Sequence, residues 1–189
     1  MGLKRNIVID SHKFDVAIIG AGLAGILMTI ACGQNKIETG LFEKDTPGGI
    51  LLKMNRIKNI FGFEEIAGKD LSYSLFKQAT NNQYVKYFYG CVCSLQQLDN
   101  GRFLLATTNN LFWEAKVIII ATGLENNYLP KKMIDKNKKL IINENCETIW
   151  KNIYGLGQII GNEKSNDILQ AITIILKNLK TKNIFPKLI

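Results

Sequence analysis

The sequence predicts an α/β fold in three layers, with a parallel β-sheet at its centre and a β-meander inserted into it. Two observations lead to this fold class. Short apolar runs such as residues 16–19 are followed by a helical pattern and a second apolar run, which is typical of strands buried on both faces. Residues 84–123 then read as successive strands separated by turn signals. With 189 residues, the chain is long enough for one domain with a sizeable core.

Composition narrows the classes of function. The chain is 47% hydrophobic and 21% charged, which argues against disorder. No apolar run is long enough to cross a bilayer and no signal peptide is visible, so we expect a cytoplasmic protein without a membrane partner. The net charge is +8, but nucleic-acid binding would need arginines and aromatics interleaved on one face. The lysine-rich stretch 131–139 is interpreted as a solvated loop; the alternative is a docking patch for an acidic partner or a polyphosphate.

The segment "VAIIGAGLAGILMTIAC" carries the strongest signal. Gly20, Gly22 and Gly25 form G-x-G-x-x-G between an apolar strand and a helix predicted over residues 23–32. A second strand then ends in Glu43, at the spacing of about 20 residues that the dinucleotide-binding βαβ unit requires. Glycines also occur in ordinary turns, but strand, helix, second strand and acid together favour the dinucleotide motif. The motif leaves open which dinucleotide is bound.

Each residue of the motif has a physical role. Gly20 permits a tight turn, Gly22 lets the backbone approach a pyrophosphate, and Gly25 lets helix and strand pack closely. The pyrophosphate lies at the helix N-terminus, where free N–H groups and the helix dipole favour negative charge. The Glu43 carboxylate accepts hydrogen bonds from an adenosine ribose.

The remaining elements are predicted from turn signals and periodicity. We expect a turn at Gly48-Gly49, a helix over residues 71–79, hairpin turns at "DNGR" and "TNN", a short strand in "KLIIN" and a strand over residues 153–156. A last helix has Ser165, Asn166 or Asp167 as its cap and an apolar face that includes Ile168, Leu169, Ile172 and Leu176.

Other side chains are interpreted as structural. Cys91 and Cys93 fall on one face of a strand, about 6.6 Å apart at the strand rise, and are interpreted as buried structural thiols; a redox pair is the less favoured alternative. No CxxC or metal motif is present in the sequence. His12 is expected to be solvated, and Trp113 and Trp150 to serve packing.

These motifs together resemble the FAD domain of the low-molecular-weight thioredoxin reductase family of flavoproteins. "VAIIGAGLAG" with Glu43 is similar to its FAD motif, and "TPGGILLKMNRIKNIFGFEEIAGKDL" to its Gly-Gly turn and Asn-x-x-Gly segment. "VIIIATG" and "NIYGLGQIIGNEKSNDILQAI" are similar to the Ala-Thr-Gly stretch and the segment that enters the last helix. The resemblance implies a three-layer ββα FAD/NAD(P)-binding (Rossmann-like) domain with a β-meander insertion.

Carried over residue by residue, the resemblance implies that FAD is the cofactor. The glycine loop would hold the pyrophosphate, Glu43 the ribose, Val92 the adenine through its backbone, and Gly157 with Gln158 the ribitol. The full set of implied cofactor-binding residues is Gly20, Ala21, Gly22, Leu23, Ala24, Gly25, Glu43, Lys44, Gly49, Ile50, Asn59, Val92, Ala121, Thr122, Gly123, Gly157, Gln158, Gln170, Ala171 and Ile172. No catalytic residue and no metal ligand are implied.

Departures from the family are equally informative. The NADPH domain and its CxxC are missing between "VIIIATG" and "KLIIN", where the chain has only a short lysine-rich connection. We therefore expect one FAD-binding domain over residues 1–189, built from segments 14–130 and 139–180. Single residues also differ: Gln158 stands in place of Asp, Leu169 of Arg, Ile50 of Gln and Phe61 of Pro. A neutral Gln158 hydrogen-bonds ribitol less strongly than a carboxylate, which predicts weaker FAD binding.

Three functions follow as hypotheses. The first is a single-domain, thioredoxin reductase-like FAD oxidoreductase that uses a small substrate or a separate electron-donor protein. The second is a non-catalytic FAD-binding or regulatory partner subunit. The third is a protein that binds NAD(H) instead. We expect a homodimer, or a partner protein on the surface that the missing domain would cover.

Overall fold

The structure is a computed structural model that describes residues 9–60, 62–125, 129–161 and 167–184, with the backbone alone at residues 9–12 and Asn59. Phe61, Ser165 and Asn166 lie outside these residues, and the side chains of His12 and Asn59 are not described, so the predictions for them stay predictions.

In chain order the elements are β1 (Ile9–Ile19), α1 (Leu23–Gln34), β2 (Thr39–Glu43), β3 (Ile57–Ile60), β4 (Phe63–Ile66), α2 (Gly68–Thr80), β5 (Val85–Tyr89), β6 (Val92–Gln97), β7 (Phe103–Thr107), β8 (Phe112–Ile120), β9 (Ile153–Gly155) and α3 (Ile168–Thr181). Turns of 3₁₀ helix lie at Gly49–Lys53, Lys131–Met133 and Gly157–Ile160.

The centre of the fold is a parallel sheet in the order β5-β2-β1-β8-β9. Strand β1 lies in the middle, and its residues 16–18 have no exposed surface. Successive side chains of a strand point to opposite faces, so Val16 and Ile18 join one hydrophobic cluster while Ala17 and Ile19 join another. A continuous apolar run is what a strand covered on both faces requires.

Two layers cover the sheet. The face that receives Val16 and Ile18 packs against helices α1 and α3. On the opposite face, sheet residues such as Phe42 pack in one cluster with Phe103 and Trp113 of the meander and with residues of the lysine-rich connection. This arrangement is the predicted three-layer α/β class, which is therefore confirmed.

The meander consists of β6, β7 and the first half of the long strand β8. The first half of β8 pairs antiparallel with β7, which pairs antiparallel with β6, while its second half pairs in parallel with β9. Both predicted hairpin turns are confirmed between these strands. Strand β5, the first of the successive strands in the sequence, belongs instead to the edge of the parallel sheet beside β2. The meander is thus shorter than the sequence pattern indicated.

Helix predictions hold with one correction. Helices α1 and α2 cover the predicted ranges, and Asp167 is the cap of α3, where its carboxylate accepts a hydrogen bond from the Gln170 amide at 2.8 Å. Leu169, predicted on the apolar face of α3, is 66% exposed. The buried stripe runs through Ala171, Ile172, Ile175 and Leu179, and Leu169 lies about 100° around the helix from its centre.

The strand predicted in "KLIIN" is wrong. Leu140 and Ile142 make only isolated bridges, to Ile134 and Thr148 respectively. The amide of Leu140 instead donates to the carbonyl of Ile159 at 2.8 Å. Because neighbouring residues bond to different segments, no continuous ladder forms.

No helix within the described ranges combines the length and the apolar character that crossing a bilayer requires.

Because the sheet is covered on both faces, we expect alanine substitutions of a buried and of an exposed isoleucine to differ strongly in their effect on stability. Ile119 in β8 is fully buried and Ile149 is 54% exposed. We expect Ile119→Ala to lower the free energy of unfolding by about 3 kcal/mol, since it leaves a cavity in the core. Ile149→Ala should change it by less than about 0.5 kcal/mol. Urea denaturation of both variants measures the difference, and equal losses would contradict the packing described here.

Candidate functional site

A cavity of about 1010 Å³ opens at the carboxyl ends of the parallel strands. Its walls come from the segments that follow β1, β2, β8 and β9, together with the turn at Gly49–Lys53, residues 90–92 and the first residue of α3. Open α/β sheets bind ligands in the crevice beyond the carboxyl ends of their strands. The cavity therefore lies where the fold itself predicts a ligand.

Two of the motif glycines are required by close packing. Gly20 has φ +103°, and a Cβ atom on it would lie 2.5 Å from the carbonyl oxygen of Ala121. A Cβ on Gly25 would lie 1.9 Å from the carbonyl oxygen of Gly20. Helix α1, the glycine turn and the end of β8 are therefore packed too tightly for any side chain at these positions.

Gly22 serves a different purpose. It is the N-cap of α1, with φ −73°, and an added Cβ would meet no atom within 4 Å. Gly22 lines the cavity, so this open space is part of the cavity. The cap provides no side-chain hydrogen bond to α1 and the first turn carries no acidic residue. The first amides of the helix therefore suit a ligand anion such as a pyrophosphate.

The Glu43 carboxylate joins the two loops that meet at the glycine turn. Its Oε2 accepts a hydrogen bond from the Ala21 amide at 2.6 Å, and its Oε1 accepts from the amides of Lys44 and Asp45 at 2.9 and 3.0 Å. Glu43 also lines the cavity, and a carboxylate has about four lone-pair sites, so it retains capacity for a ribose hydroxyl. The sequence assigned Glu43 to the ligand alone; the structure adds this role in holding the loop.

An ion pair crosses the cavity wall between two loops. Lys44 Nζ donates to Glu125 Oε1 at 2.7 Å, which ties the loop after β2 to the loop after β8. The hydrogen bond with Glu125 raises the pKa of the Lys44 ammonium, and burial opposes this increase. Sequence reasoning selected Lys44 but missed Glu125, because the two residues are 81 positions apart and no local motif marks the second one.

The far end of the cavity is formed after β9. Gly157 has φ +76°, and a Cβ on it would lie 2.8 Å from the Cβ of Ala24 in α1. Gln158 follows with an exposed side chain, and both residues line the cavity. Ile50, 51% exposed, lines it from the 3₁₀ turn after β2. The two chain segments on either side of the lysine-rich connection thus meet at one cavity.

The structure brings most of the expected site residues together. Those that line the cavity are Gly20, Gly22, Leu23, Ala24, Glu43, Lys44, Gly49, Ile50, Val92, Ala121, Thr122, Gly123, Gly157 and Gln158. Ala21 and Gly25 lie behind the wall and shape the glycine turn. From α3 the cavity receives Ile168, whereas Gln170 is exposed and Ala171 and Ile172 are buried in the core. Further lining residues without a sequence signal include Asp45, Lys53, Gly90, Cys91, Leu124 and Glu125.

The interpretation of Cys91 and Cys93 as buried thiols is wrong. Cys91 is half-buried and lines the cavity, Cys93 is exposed, and neither forms a disulfide. Cys91 precedes β6 in the loop that reaches the cavity, and β6 is the outer strand of the meander, so neither thiol is enclosed in the core. Cys32 in α1 is buried, and burial raises the pKa of its thiol to about 12. Cys32 is therefore not a nucleophile at neutral pH.

Fold and cavity together define a three-layer dinucleotide-binding domain. Thioredoxin reductase from Listeria innocua is 33% identical over 121 residues, which cover 64% of this chain and 37% of that protein. Thioredoxin reductase from Mycoplasma genitalium is 32% identical over 120 residues, with 64% and 38% covered. Over this part the chain is similar in sequence to thioredoxin reductases, and it spans little more than a third of the length of these relatives. No protein-family model matches it.

Solved structures show the same fold. Thioredoxin reductase from Streptococcus pyogenes MGAS5005 superposes with a TM-score of 0.78 at 12% identity, over 89% of this chain and 99% of that chain. The enzyme from T. acidophilum gives a TM-score of 0.76 at 15% identity, over 91% and 99%. At these identities the likeness concerns the fold alone. It agrees with the fold class predicted from the sequence.

Gly22 and Gly25 provide a matched test of the site. Gly22→Ala places a methyl group in open cavity space, so we expect stability to fall by no more than about 1 kcal/mol. If FAD binds here, as the sequence resemblance implies, its affinity should fall at least about tenfold. Gly25→Ala forces a backbone clash and should cost more than about 2 kcal/mol in the free energy of unfolding. Thermal unfolding and calorimetric titration measure the two effects. Unchanged FAD binding by Gly22→Ala would contradict the predicted position of the pyrophosphate.

Proposed function

We propose that this chain binds FAD and acts as a thioredoxin reductase-like oxidoreductase. The observation that carries the proposal is that one continuous cavity runs from Cys91 and Val92, past the glycine turn, to Gly157 and Gln158. A dinucleotide with an extended second half needs a groove supported from both ends, and a nucleotide held by the βαβ unit alone would not use the segment after β9.

The residues of the cavity fit FAD in their chemistry. Open space at Gly22 and the uncapped start of α1 suit the pyrophosphate, and Glu43 has acceptor capacity for the ribose. Val92 is at the adenine end, and Gly49, Ile50, Gly157 and Gln158 are at the flavin end. When bound, FAD supplies two-electron redox chemistry, while the protein supplies binding and orientation.

The chain's own residues position the cofactor and leave one side accessible. Ile50 and Leu124 line the cavity and are 51% and 67% exposed. Exposed apolar side chains at the rim of a cavity favour contact with a partner or substrate. Electrons therefore enter from a small substrate, a free nicotinamide nucleotide or a separate donor protein. We assign no general base, because the Glu43 carboxylate holds the loop and Lys44 is paired with Glu125.

We further propose that segments 14–130 and 139–180 form one FAD-binding unit. Strand β8 precedes the lysine-rich connection, β9 follows it, and the two are neighbours in one sheet. In the reductase family an NADPH domain with a CxxC occupies the place of this connection, so thioredoxin reduction by this chain would need a second protein. A homodimer or a partner on the exposed rim fits this role, and a cytoplasmic location stays a prediction.

A second candidate function is a non-catalytic FAD-binding subunit. The observation that favours it is Gln158, an exposed neutral side chain at the flavin end where the reductase family has Asp. Binding of NAD(H) in place of FAD is disfavoured by the contribution of Gly157 and Gln158 to the same cavity.

Absorbance spectroscopy separates these functions. We expect the purified protein to bind FAD in a one-to-one ratio, with flavin absorption bands, and to bleach during an anaerobic titration with NADH or a dithiol. Bound FAD that does not bleach with either reductant would favour the non-catalytic subunit. A colourless protein without measurable FAD binding in calorimetry would overturn both, and the Gly22→Ala variant is the matched control for site-specific binding.

Thiol labelling tests where the adenine lies. Cys91 lines the cavity, whereas Cys93 is exposed two residues further along. Saturating FAD should slow alkylation of Cys91 by on the order of tenfold, because the ligand covers the cavity wall, and leave Cys93 unchanged. Mass spectrometry of Cys91→Ser and Cys93→Ser proteins reads each thiol separately. Equal protection of both thiols, or of neither, would place the adenine elsewhere.

A further inference from the structure

We propose that Lys139, from the lysine-rich connection, is a positioning residue for the flavin end of the cavity. The inference rests on the proposed binding of FAD and extends it. The lysine-rich connection would then contribute a residue to the cofactor site, in addition to joining the two segments between which the reductase family has its NADPH domain.

The connection is built into the fold. Met133 and Leu140 are 0% and 2% exposed and pack in the same hydrophobic cluster as the sheet. The Ile141 amide donates to the Met133 carbonyl at 2.8 Å, so the segment between these two residues forms a closed loop. Its two ends are therefore fixed on the sheet.

The backbone of Lys139 is fixed on both sides by Asp135. The Lys139 amide donates to Asp135 Oδ1 at 2.8 Å, and the Lys139 carbonyl accepts from the Asp135 amide at 2.8 Å. The next residue, Leu140, donates its amide to the Ile159 carbonyl at 2.8 Å. The side chain of Lys139 thus starts from a rigid position beside the turn that forms the flavin end.

That side chain reaches the cavity wall from behind. Lys139 Nζ donates to the carbonyl oxygen of Gln158 at 2.8 Å. Its aliphatic stem lies against Gly161, where an added Cβ would be 2.8 Å from the Lys139 Cγ. Charge-assisted hydrogen bonds are stronger than neutral ones, so the ammonium fixes the peptide plane of Gln158.

The fixed peptide belongs to the cavity. Gly157 packs against Ala24 at the start of α1, and Gly157 and Gln158 both line the cavity. The turn is therefore held between α1 on the cavity side and Lys139 on the connection side. Without the lysine, the Gln158 carbonyl would keep only the longer hydrogen bond from the Gly161 amide, at 3.3 Å, while the glycine turn and Glu43, at the opposite end, would keep their contacts.

Two ligands and three variants test this assignment. FAD fills both ends of the cavity, whereas ADP reaches only the adenine and pyrophosphate end. We expect Lys139→Met to raise the dissociation constant for FAD on the order of tenfold and to change that for ADP by less than about twofold. Lys139→Arg, which keeps a charged donor, should restore FAD binding. The matched control is Lys136→Met, whose side chain is exposed in the same connection.

The outcomes are distinguishable. Failure of the unaltered protein to bind FAD would overturn the proposed function and this inference together. Normal FAD binding by Lys139→Met would overturn the inference alone. Equal weakening of FAD and ADP, accompanied by a lower unfolding temperature, would show that Lys139 only stabilises the fold, and would also overturn it. Selective loss of FAD affinity, with rescue by arginine, supports it.

Discussion

The close approach of three backbone segments at Gly20 is the constraint on which the rest of the site depends. The turn after β1 is pressed between Gly25 in α1 and Ala121 at the end of β8, at distances that exclude any Cβ. This packing fixes the direction in which α1 leaves the sheet, and therefore the direction of its first amides. Backbone contacts therefore set the position of the helix N-terminus that faces the cavity, and side chains such as Glu43 add further polar groups around it.

Around this turn, long-range hydrogen bonds hold the cavity walls in register. The Glu43 carboxylate joins the loop after β2 to the glycine turn, and the Ala21 carbonyl accepts from the Gly48 amide at 2.7 Å. Lys44 and Glu125 tie the loops after β2 and β8 together. These loops all leave the carboxyl edge of one parallel sheet. The Glu43 contact bridges the neighbouring strands β2 and β1, and the Lys44–Glu125 pair reaches from β2 across β1 to β8. The walls are therefore preorganised by the strand order.

The lysine-rich connection is the feature that distinguishes this chain from the reductase family that it resembles. A short segment that packs Met133 and Leu140 on the sheet joins β8 to the segment before β9, and it places Lys139 behind the Gln158 peptide. The dinucleotide-binding lobe thereby keeps its closing segment without a second lobe between its halves. Apolar residues such as Ile50 and Leu124 are exposed at the rim of the cavity.

The sequence by itself determined the features that depend on neighbouring residues. The glycine spacing, the buried parallel strands, the position of Glu43 and a polar cap for α3 among residues 165–167 all follow from local periodicity and turn chemistry. Tertiary structure decided the pairing of Lys44 with Glu125, the bond from Lys139 to Gln158, the placement of β5 in the parallel sheet, and the exposure of Leu169 and Cys91. These depend on which strands become neighbours and which face is covered. Long-range packing sets both, and no local pattern encodes them.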